Sequence, residues 1–321
     1  MSEILSTIEA ALAAIPYPAQ PDGLYAPIRY VLQGGGKRLR PTLLLLAYRL
    51  YAADIARALP AAVGLEMYHN HTLLHDDVMD RADVRRGRPT VHRVWNENTA
   101  ILSGDAMLLM AVAEVGRTDS PRTRELQAFF VDCALRICEG QQYDVDFESR
   151  TDVTEAEYIE MIRLKTSVLL GCATKMGAMV AGATPAEQDA LYRFAEHIGL
   201  AFQIQDDWLD TYGDPAVFGK KIGGDILCGK KTYLLINALR MAGDAERTEL
   251  LGLLADAACP PDEKIRRVTD LYNRLGIPAI AEAAIRRHFE AARREWEAVG
   301  GDAEARQALW DYAESLLGRT S

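Results

Sequence analysis

The sequence predicts an all-α fold, in which one domain over residues 1–321 is built as a bundle of helices. Apolar residues recur at the spacing of amphipathic helices along almost the whole chain, while convincing alternating strand patterns are absent. Short clusters of Gly, Pro and charged residues separate the helical segments, and neither a long linker nor a short repeat divides the chain. Several segments are apolar on nearly every face, which is typical of helices buried inside a bundle.

The predicted helices follow one another closely along the chain. They cover about residues 2–15, 41–53, 58–81, 92–116, 121–147, 154–182, 185–212, 230–242, 245–257, 261–274, 277–299 and 302–317. The breaks between them include "PYPAQPDG", "QGGGKRLRP", "RADVRRGRPT" and "YGDPAVFGKKIGGD", which are rich in turn-forming residues. Pro41, Pro185 and Pro261 each stand where a first helical turn would begin, and proline is favoured at that position.

Composition and charge narrow the function. The formal net charge is −10 and the pI is about 5.2, so the chain has no basic excess to neutralise phosphates, and nucleic acid is not an expected partner. The five cysteines are scattered and form no CxxC pair, which favours a reduced, cytoplasmic setting over a disulfide framework. The first helix lacks a basic signal-peptide region, and the longest purely apolar run, "LLLLA", is too short to span a bilayer. We therefore expect a cytoplasmic protein without a transmembrane segment.

Two acidic clusters share the form Asp-Asp-x-x-Asp, and each ends an apolar helical segment. The first lies in "HTLLHDDVMD" and the second in "LAFQIQDDWLD". Residues four apart lie on one face of a helix, so Asp76 projects beside Asp80 and Asp206 beside Asp210. Like charges this close repel each other, and a hard cation removes that penalty. Mg²⁺ is the expected ion, because it takes oxygen ligands and is shared between a few carboxylates and substrate phosphates.

The alternative for one cluster alone is a solvated acidic helix end. Ca²⁺ is disfavoured, because neither run contains the glycine turn and the ligand-rich loop of an EF-hand. Two copies of the pattern, each after an apolar helix, favour a pair of metal-binding helices that face each other across a cavity. The sequence therefore predicts an anionic ligand that is held through metal ions.

Basic residues that can bind such an anion stand beside the acidic clusters or beside glycine turns. "GGGKRLRP" places Lys37, Arg38 and Arg40 on a turn that leads into a helix N-terminus, a favourable position for phosphate. "RRG" follows the first acidic cluster, "KT" lies inside a helical segment, and "FGKKIGGDILCGKK" follows the second acidic cluster. Each group alone is typical of ordinary surface charge. Their joint placement favours a diphosphate site, where arginine grips two oxygens at once and lysine acts as a point charge.

In this order, the motifs resemble those of the trans-isoprenyl diphosphate synthases, also called polyprenyl synthetases. The resemblance covers nearly the whole chain and rests on "GGGKRLRP", "HNHTLLHDDVMDRADVRRGRPTVH", "GDAML", "EGQQYD", "KT", "FQIQDDWLD" and "GKKIGGDILCGKKT". It implies a helical bundle of the isoprenoid synthase type around a deep central cavity, a homodimer, and about three Mg²⁺ ions per active site. The implied reaction joins isopentenyl diphosphate to an allylic diphosphate and releases diphosphate.

The resemblance also implies roles for individual residues. The metal ions on the allylic diphosphate would be held by Asp76, Asp80, Asp206 and Asp210. The same diphosphate would be bound by Arg85, Lys165, Lys230 and Lys220, for which Lys221 is the alternative. Isopentenyl diphosphate would be bound by Lys37, Arg40, His69 and Arg86, and the developing allylic cation would lie near Thr166 and Gln203. The expected catalytic residues are Asp76, Asp80, Asp206, Arg85, Lys165 and Lys230.

Product length is expected to depend on the helix that precedes the first acidic cluster. Thr72 and His71 stand four and five positions before Asp76, and Tyr68 lies about one further turn down. Bulky groups at such points are a pattern of short-chain members of the family. Tyr68 and His71 lie about one to two helical turns below Asp76. They therefore predict a product of about fifteen to twenty carbons. The small Thr72 favours geranylgeranyl over farnesyl diphosphate.

Three other interpretations stay open. A class I terpene cyclase also uses aspartates and Mg²⁺, but it has no use for the isopentenyl diphosphate pocket. A non-catalytic accessory subunit would keep the fold, although such proteins usually have eroded aspartate motifs. His71 and His75 are four residues apart and resemble a zinc-binding pair. However, no glutamate stands between them as in the metalloprotease motif, and no third ligand is evident.

Overall fold

A computed structural model of the chain describes residues 2–214 and 222–317. Helices account for most of these residues, so the predicted all-α fold is confirmed. In chain order the helices are α1 (Ser2–Ala13), α2 (Asp22–Leu32), α3 (Leu39–Arg49), α4 (Leu59–Met79), α5 (Val91–Val94), α6 (Glu97–Gly116), α7 (Thr123–Glu148), α8 (Glu155–Ile162), α9 (Val168–Ala181), α10 (Pro185–Tyr212), α11 (Gly224–Leu227), α12 (Tyr233–Met241), α13 (Asp244–Ala255), α14 (Pro261–Arg274), α15 (Ile277–Glu297) and α16 (Ala303–Leu317). The other elements are a 3₁₀ turn (Ile55–Arg57), a π-helical turn (Arg163–Ser167) and two short strands, β1 (Val84–Arg85) and β2 (Arg88–Pro89).

The chain divides into two compact units. Unit 1 consists of Met1–Asp132, Cys172–Tyr192 and Gly300–Leu309. Unit 2 consists of Cys133–Gly171, Arg193–Val299 and Trp310–Ser321. The first acidic cluster therefore belongs to unit 1, and the second belongs to unit 2.

Unit 1 is organised around α4, which carries the first acidic cluster at its C-terminal end. This helix packs most extensively against α6 and also contacts α3 and α1. Gly64 allows the close approach of α6, because a Cβ here would lie 2.8 Å from the Ala111 carbonyl oxygen and 2.7 Å from Cγ2 of Val115. Residues 61–68 are all buried, which explains why this stretch is apolar on nearly every face. The acidic cluster therefore stands on a firmly packed helix.

Unit 2 has a core of aromatic and aliphatic side chains around α12. Its buried members come from several helices and include Tyr158 of α8, Ile204 of α10, Leu235 of α12 and Leu271 of α14. Burial of such side chains is the main favourable contribution to folding. Because α8, α10 and α12 share this core, the polar residues that they carry are held in fixed positions.

Three local features differ from the sequence prediction. Residues 22–32 form α2 although Pro27 stands in its interior, where proline removes one backbone hydrogen bond. Burial of Ile28 and Leu32 offsets that loss. The helix predicted over residues 92–116 is broken at Trp95, whose φ is −109° and ψ −93°. The helix predicted over residues 154–182 contains the π-helical turn.

The helix α6 has an exposed apolar face. By length and composition it is the one helix, within residues 2–214 and 222–317, that is apolar enough to cross a membrane. Core helices of soluble proteins meet the same two criteria, so this is weak evidence for a membrane span. Ile101, Leu102 and Leu109 are 43%, 61% and 70% exposed, respectively. We refer to these three residues as the α6 face.

Candidate active site

The first acidic cluster lies at the C-terminal end of α4. Asp80 follows the last helical residue, and its backbone N–H donates to the Asp76 carbonyl oxygen at 2.8 Å. The two residues are therefore one helical turn apart. Asp80 is exposed and Asp76 is partly exposed. Both carboxylates are placed where a ligand from solvent can reach them.

Asp77, between these two residues, has a different environment. It is buried, and its Oδ1 accepts a hydrogen bond from Nε of Arg85 at 2.7 Å. Burial raises the pKa of Asp77, and the Arg85 guanidinium opposes that rise. Asp77 therefore anchors an arginine, while the two outer acids of the motif are the residues predicted to bind a metal ion.

A two-stranded hairpin presents Arg85 and Arg86. The strands β1 and β2 pair antiparallel around a turn in which Arg86 (φ 52°) and Gly87 (φ 73°) are both left-handed. This is the geometry that favours two-residue hairpins. Nη1 of Arg86 donates to the Gly35 carbonyl oxygen. A Cβ on Gly36 would lie 2.9 Å from the guanidinium carbon of Arg86, so the glycine run lets this arginine lie against the backbone.

Arg40 and His69 form a partly buried pair. Nη1 of Arg40 lies 3.1 Å from Nε2 of His69. Because arginine is only a donor, this histidine nitrogen accepts. Burial, followed by the positive charges of Arg40 and Arg86, holds the pKa of His69 well below its usual range, so the imidazole is neutral at pH 7. Burial also lowers the pKa of Arg40 to about 10, at which the guanidinium is still a cation at pH 7.

The second acidic cluster lies in the last turns of α10. Asp206 and Asp210 are partly exposed, whereas Asp207 is buried. Oδ2 of Asp207 accepts hydrogen bonds from the Tyr158 hydroxyl and from the Tyr233 backbone N–H, the latter at 2.8 Å. Burial raises the pKa of Asp207 to about 7. The middle acid of this motif therefore ties α8 and α12 to α10.

Asp225 is a residue that the sequence analysis missed. Its backbone N–H donates to Oδ2 of Asp210 at 3.0 Å, and its Oδ1 lies 3.7 Å from Nζ of Lys230. Burial, followed by the charge of Asp225, raises the pKa of Asp210. The signal was present as the one acid in "GKKIGGDILCGKKT". Only the short helix α11 brings that acid back beside α10.

Lys230 lies among carboxylates of unit 2. Burial lowers the pKa of Lys230, but the nearby negative charges outweigh this effect and raise the pKa above its usual value. These charges belong to Asp225, Asp207, Asp144 and Asp206. Lys230 is therefore a cation at neutral pH beside the second acidic cluster.

Lys165 and Thr166 are presented by the π-helical turn, a wide turn that is frequent at functional sites. Nζ of Lys165 lies 2.5 Å from Oδ2 of Asp144. The Thr166 hydroxyl lies 3.3 Å from Oε1 of Gln203. A Cβ on Gly140 would lie 2.3 Å from the Lys165 backbone nitrogen, so α7 reaches this turn only because residue 140 is glycine.

Within each unit, the structure connects most of the predicted site residues to their neighbours. In unit 1 these are Asp76, Asp80, Arg85, Arg86, Arg40 and His69. In unit 2 these are Asp206, Asp210, Lys165, Thr166, Gln203 and Lys230. Lys37 is exposed at the end of the glycine run. Lys220 and its alternative Lys221 lie outside the described residues.

The predicted product-length positions belong to a row of rings along α4. The ring centroids of Tyr68 and His71 are 5.6 Å apart, and those of His71 and His75 are 4.6 Å apart. Phe130 of α7 extends the row through an edge-to-face contact with Tyr68 at 5.4 Å. Tyr68, His71 and Phe130 are buried, whereas Thr72 is partly exposed. Phe130 has no sequence signal that links it to α4.

A metal ion at the acidic pairs would take few ligands from the protein. Within residues 2–214 and 222–317, no group of three or more His, Cys, Asp and Glu side chains is arranged to hold one. Mg²⁺ fits such a site, because it keeps several waters and shares one or two carboxylates with substrate phosphates. Structural zinc, which takes about four protein ligands, does not fit.

Comparison with known proteins decides the family. A model of the polyprenyl synthetase family matches residues 21–273. The chain belongs to this family. A short chain isoprenyl diphosphate synthase from Methanothermobacter thermautotrophicus is 39% identical over 301 residues, which cover 93% of this chain and 91% of the relative. A geranylgeranyl diphosphate synthase from Methanosarcina mazei is 43% identical over 235 residues, which cover 73% of this chain and 72% of the relative. The crystal structure of a geranylgeranyl pyrophosphate synthase matches with a TM-score of 0.91 and 42% identity, covering 100% of this chain and 98% of that chain.

Membership in the polyprenyl synthetase family confirms the predicted resemblance and the predicted enzyme class, a trans-prenyltransferase of the short-chain type. Prenyl diphosphate synthases use a divalent metal ion, which agrees with the paired carboxylates of both units. The roles of the individual residues stay predictions.

Proposed function

We propose that this polyprenyl synthetase condenses isopentenyl diphosphate with an allylic diphosphate and makes geranylgeranyl diphosphate, with release of diphosphate. The allylic substrate is dimethylallyl, geranyl or farnesyl diphosphate. The names of the Methanosarcina mazei relative and of the matching crystal structure support the twenty-carbon product. Farnesyl diphosphate is the alternative product.

The observation that carries the proposal is a difference between two groups of residues within unit 1. Asp76 and Asp80 lie one helical turn apart, and Arg85 is paired with Asp77 of the same motif, an arrangement suited to a diphosphate with metal ions. The cation Arg40 contacts the neutral His69, and no carboxylate within the residues that the structure describes is hydrogen-bonded to either side chain. A second diphosphate that binds without metal accounts for that pair. A terpene cyclase, which has one diphosphate substrate, does not account for it.

Magnesium is the proposed metal, with about three ions per active site. Asp76 and Asp80 in unit 1, and Asp206 with Asp210 in unit 2, are the residues that would hold it. When bound, Mg²⁺ neutralises the negative charge that builds on the departing diphosphate. Asp225 joins this set of carboxylates through its contact with Asp210.

Basic side chains of the protein also bind the departing diphosphate. Arg85, Lys165 and Lys230 bind oxygens of the departing diphosphate, and they are held ready by Asp77, Asp144 and Asp225. Preorganised charges of this kind stabilise the transition state without costly rearrangement. Thr166 and Gln203 lie near the developing allylic cation, which the isopentenyl double bond attacks. The released diphosphate accepts the proton, so no protein base is required.

Product length is set, in this proposal, by the ring row of α4. His71 and Tyr68 are buried side chains that stand about one and about two turns, respectively, below the first acidic cluster. They form the floor against which a chain of about twenty carbons stops, with Thr72 above them leaving room for the last unit. Replacing either ring with alanine lengthens the product.

The proposed assembly is a homodimer, and the α6 face supports it. Ile101, Leu102 and Leu109 expose aliphatic side chains on one side of a long helix. Contiguous exposed apolar patches are protein–protein interaction sites more often than the rest of the protein surface is. A second copy of the same chain covers the patch by two-fold symmetry.

The proposed location is the cytoplasm, and the proposed architecture is one polyprenyl synthetase domain over residues 1–321. All five cysteines are free thiols, and Cys133 and Cys172 are buried. Free cysteines are typical of reducing compartments.

The test is a product assay. The purified protein is incubated with labelled isopentenyl diphosphate, Mg²⁺ and each allylic primer in turn, and product length is read by mass. We expect chains of twenty carbons. A lack of incorporation with every primer supports an accessory subunit, and conversion of an allylic diphosphate without isopentenyl diphosphate supports a cyclase. Chains mainly beyond twenty carbons contradict the proposed product.

The separation of the two anion sites is tested with Arg40→Ala. The variant is expected to raise the KM for isopentenyl diphosphate by roughly tenfold or more, the value of one charged hydrogen bond, while the allylic KM stays close to the parent value. Equal changes in both constants would contradict the separation.

A further inference from the structure

A buried ion pair lies beneath the basic residues of unit 1. Nη1 of Arg38 is 2.8 Å from Oε1 of Glu66, and both residues are only 2% exposed. Arg38 also donates to the Leu32 carbonyl oxygen at 2.6 Å and to Oε1 of Glu9 at 2.7 Å. Buried charges are costly unless they are paired, so this arrangement needs a reason beyond packing.

Glu66 connects this pair to the hairpin arginine. Its Oε1 also accepts a hydrogen bond from Nδ2 of Asn70 at 2.9 Å, one turn further along α4. Oδ1 of Asn70 faces Nη1 of Arg86 at 3.5 Å, at the long end of the hydrogen-bond range. Arg86 is thereby held from two sides, by the Gly35 carbonyl oxygen and by the side chain of Asn70.

Glu66 also supplies negative charge to a cationic region. Burial lowers the pKa of Arg40 and of Arg86, and for each of them Glu66 is the leading charge that opposes the change. Its second oxygen, Oε2, is buried and has no hydrogen-bond partner within the described part of the chain. One carboxylate therefore acts on three arginines, although it makes a direct ion pair with only one of them.

We propose that Glu66 is a positioning residue for isopentenyl diphosphate. Through Asn70 it holds the guanidinium group of Arg86 in place, so that this arginine is aligned before the substrate binds. Glu66 does not touch the substrate. The inference rests on the proposed function, because it takes Arg86 as a ligand of isopentenyl diphosphate.

Glu9 offers a matched control on the same arginine. Its carboxylate pairs with Nε of Arg38 at 2.7 Å, but its side chain is 50% exposed, and within the described residues no hydrogen bond joins it to Asn70 or Arg86. Glu9→Gln and Glu66→Gln therefore make the same chemical change at one guanidinium. Only the second removes the charge that faces the isopentenyl diphosphate pocket.

The experiment measures the KM for both substrates, kcat and the melting temperature of the full-length protein. Glu66→Gln is expected to raise the KM for isopentenyl diphosphate by roughly tenfold, the factor that one hydrogen bond to a charged group is worth. The allylic KM and kcat at saturating substrate are expected to stay within about twofold, as for an interaction that serves binding alone. Glu9→Gln is expected to leave both KM values unchanged.

Two outcomes would overturn the proposal. In the first, Glu66→Gln lowers the melting temperature but leaves the KM for isopentenyl diphosphate unchanged or reduced. In the second, Glu66→Gln raises both KM values equally. If Glu66→Gln gives no folded protein, Asn70→Ser decides the question. This change keeps the ion pair of Glu66 with Arg38 and breaks the link to Arg86, so an unchanged KM for isopentenyl diphosphate overturns the proposal.

The parent enzyme separates the two hypotheses. If the parent incorporates no isopentenyl diphosphate with any primer, the proposed function itself is wrong. If the parent is active and the Glu66→Gln and Asn70→Ser variants bind isopentenyl diphosphate as the parent does, only the role of Glu66 is wrong.

Discussion

The two acidic clusters have the same pattern but different surroundings. In the first, the middle residue Asp77 is paired with the guanidinium of Arg85. In the second, the middle residue Asp207 is bound by the Tyr158 hydroxyl and the Tyr233 backbone N–H. The outer acids of both motifs are more accessible than the middle ones.

This difference separates metal binding from anchoring. In both motifs the outer residues carry the proposed metal ions, and the middle residue is a structural anchor. The first anchor holds a residue that is itself predicted to bind diphosphate. The second anchor holds helices α8 and α12. Substitution of Asp77 should therefore lower the catalytic efficiency directly, whereas loss of a contact to Asp207 should mainly lower the free energy of unfolding.

The largest expected effect is at the outer acids. Asp76→Ala and Asp206→Ala are each expected to lower kcat by roughly a thousandfold, because each removes a ligand for charge stabilisation in the transition state. Steady-state kinetics with isopentenyl and farnesyl diphosphates measure the loss. Glu148→Ala, at an exposed helix end, is the control and should keep parental kcat. Parental rates in either aspartate variant would contradict the assignment.

Asp77→Asn tests the middle acid of the first motif. The change keeps the shape but removes the charge that holds Arg85, and kcat/KM for the allylic substrate is expected to fall by roughly a hundredfold. The melting temperature is expected to fall only slightly, because Arg85, the partner of Asp77, is partly exposed. A large loss of stability with parental kinetics in the folded fraction would make Asp77 an ordinary structural residue.

The stability of the protein at acid pH depends on His71, a member of the ring row. Burial, followed by the charge of His75, lowers the pKa of His71 to about 4. The unfolded state then binds more protons below pH 6.5, so stability falls as pH drops from 6.5 towards 4. His71→Gln is expected to reduce this loss by about 2 kcal/mol between pH 6 and 4.5, as measured by denaturant titration.

His288→Gln is the matched variant. Burial, followed by the charge of His197, lowers the pKa of His288 to about 4 as well. Both variants should therefore flatten the acid limb, but only His71→Gln should change product length. Identical product profiles from the two variants would count against the ring row as the floor.

The smallest expected effect belongs to the second anchor. Tyr158→Phe removes one hydrogen bond to Asp207 and leaves the Tyr233 backbone N–H in place. Unfolding free energy is expected to fall by about 1 kcal/mol, with kcat within about twofold of the parent. Chemical denaturation and product assays check both values. A fall in kcat/KM for the allylic substrate comparable with that of Asp77→Asn would remove the distinction between the two middle acids.

Helix periodicity predicted most of the fold, because long apolar segments such as residues 58–81 and 185–212 are buried by tertiary packing as their pattern requires. It missed α2, since Pro27 reads as a helix breaker and only burial of Ile28 and Leu32 overrides it. It also missed the π-helical turn, because a single wide turn leaves no trace in a helical pattern.

Candidate site residues could be named from the sequence where they are close together along the chain. Local spacing named Asp76 and Asp80, and the resemblance of the motifs named Lys165 and Thr166. Local spacing does not identify Asp225 or Glu66 as site residues. Asp225 contacts Asp210, which lies in another helix. Glu66 contacts Arg38 in another segment and Asn70 in the same buried stretch of α4. Nothing in "GLEMYHN" distinguishes Glu66 from a surface acid until Arg38 is seen beside it.

The paired outer carboxylates are proposed to hold the allylic diphosphate through metal ions. The decisive measurement is the equilibrium binding of an allylic thiolodiphosphate, whose carbon–sulfur bond resists ionisation, to the metal-depleted parent enzyme with and without added Mg²⁺. We predict tight binding only with Mg²⁺, and a large loss of that binding in Asp76→Ala and Asp206→Ala. Equally tight binding after chelation, or in both variants, would contradict the claim.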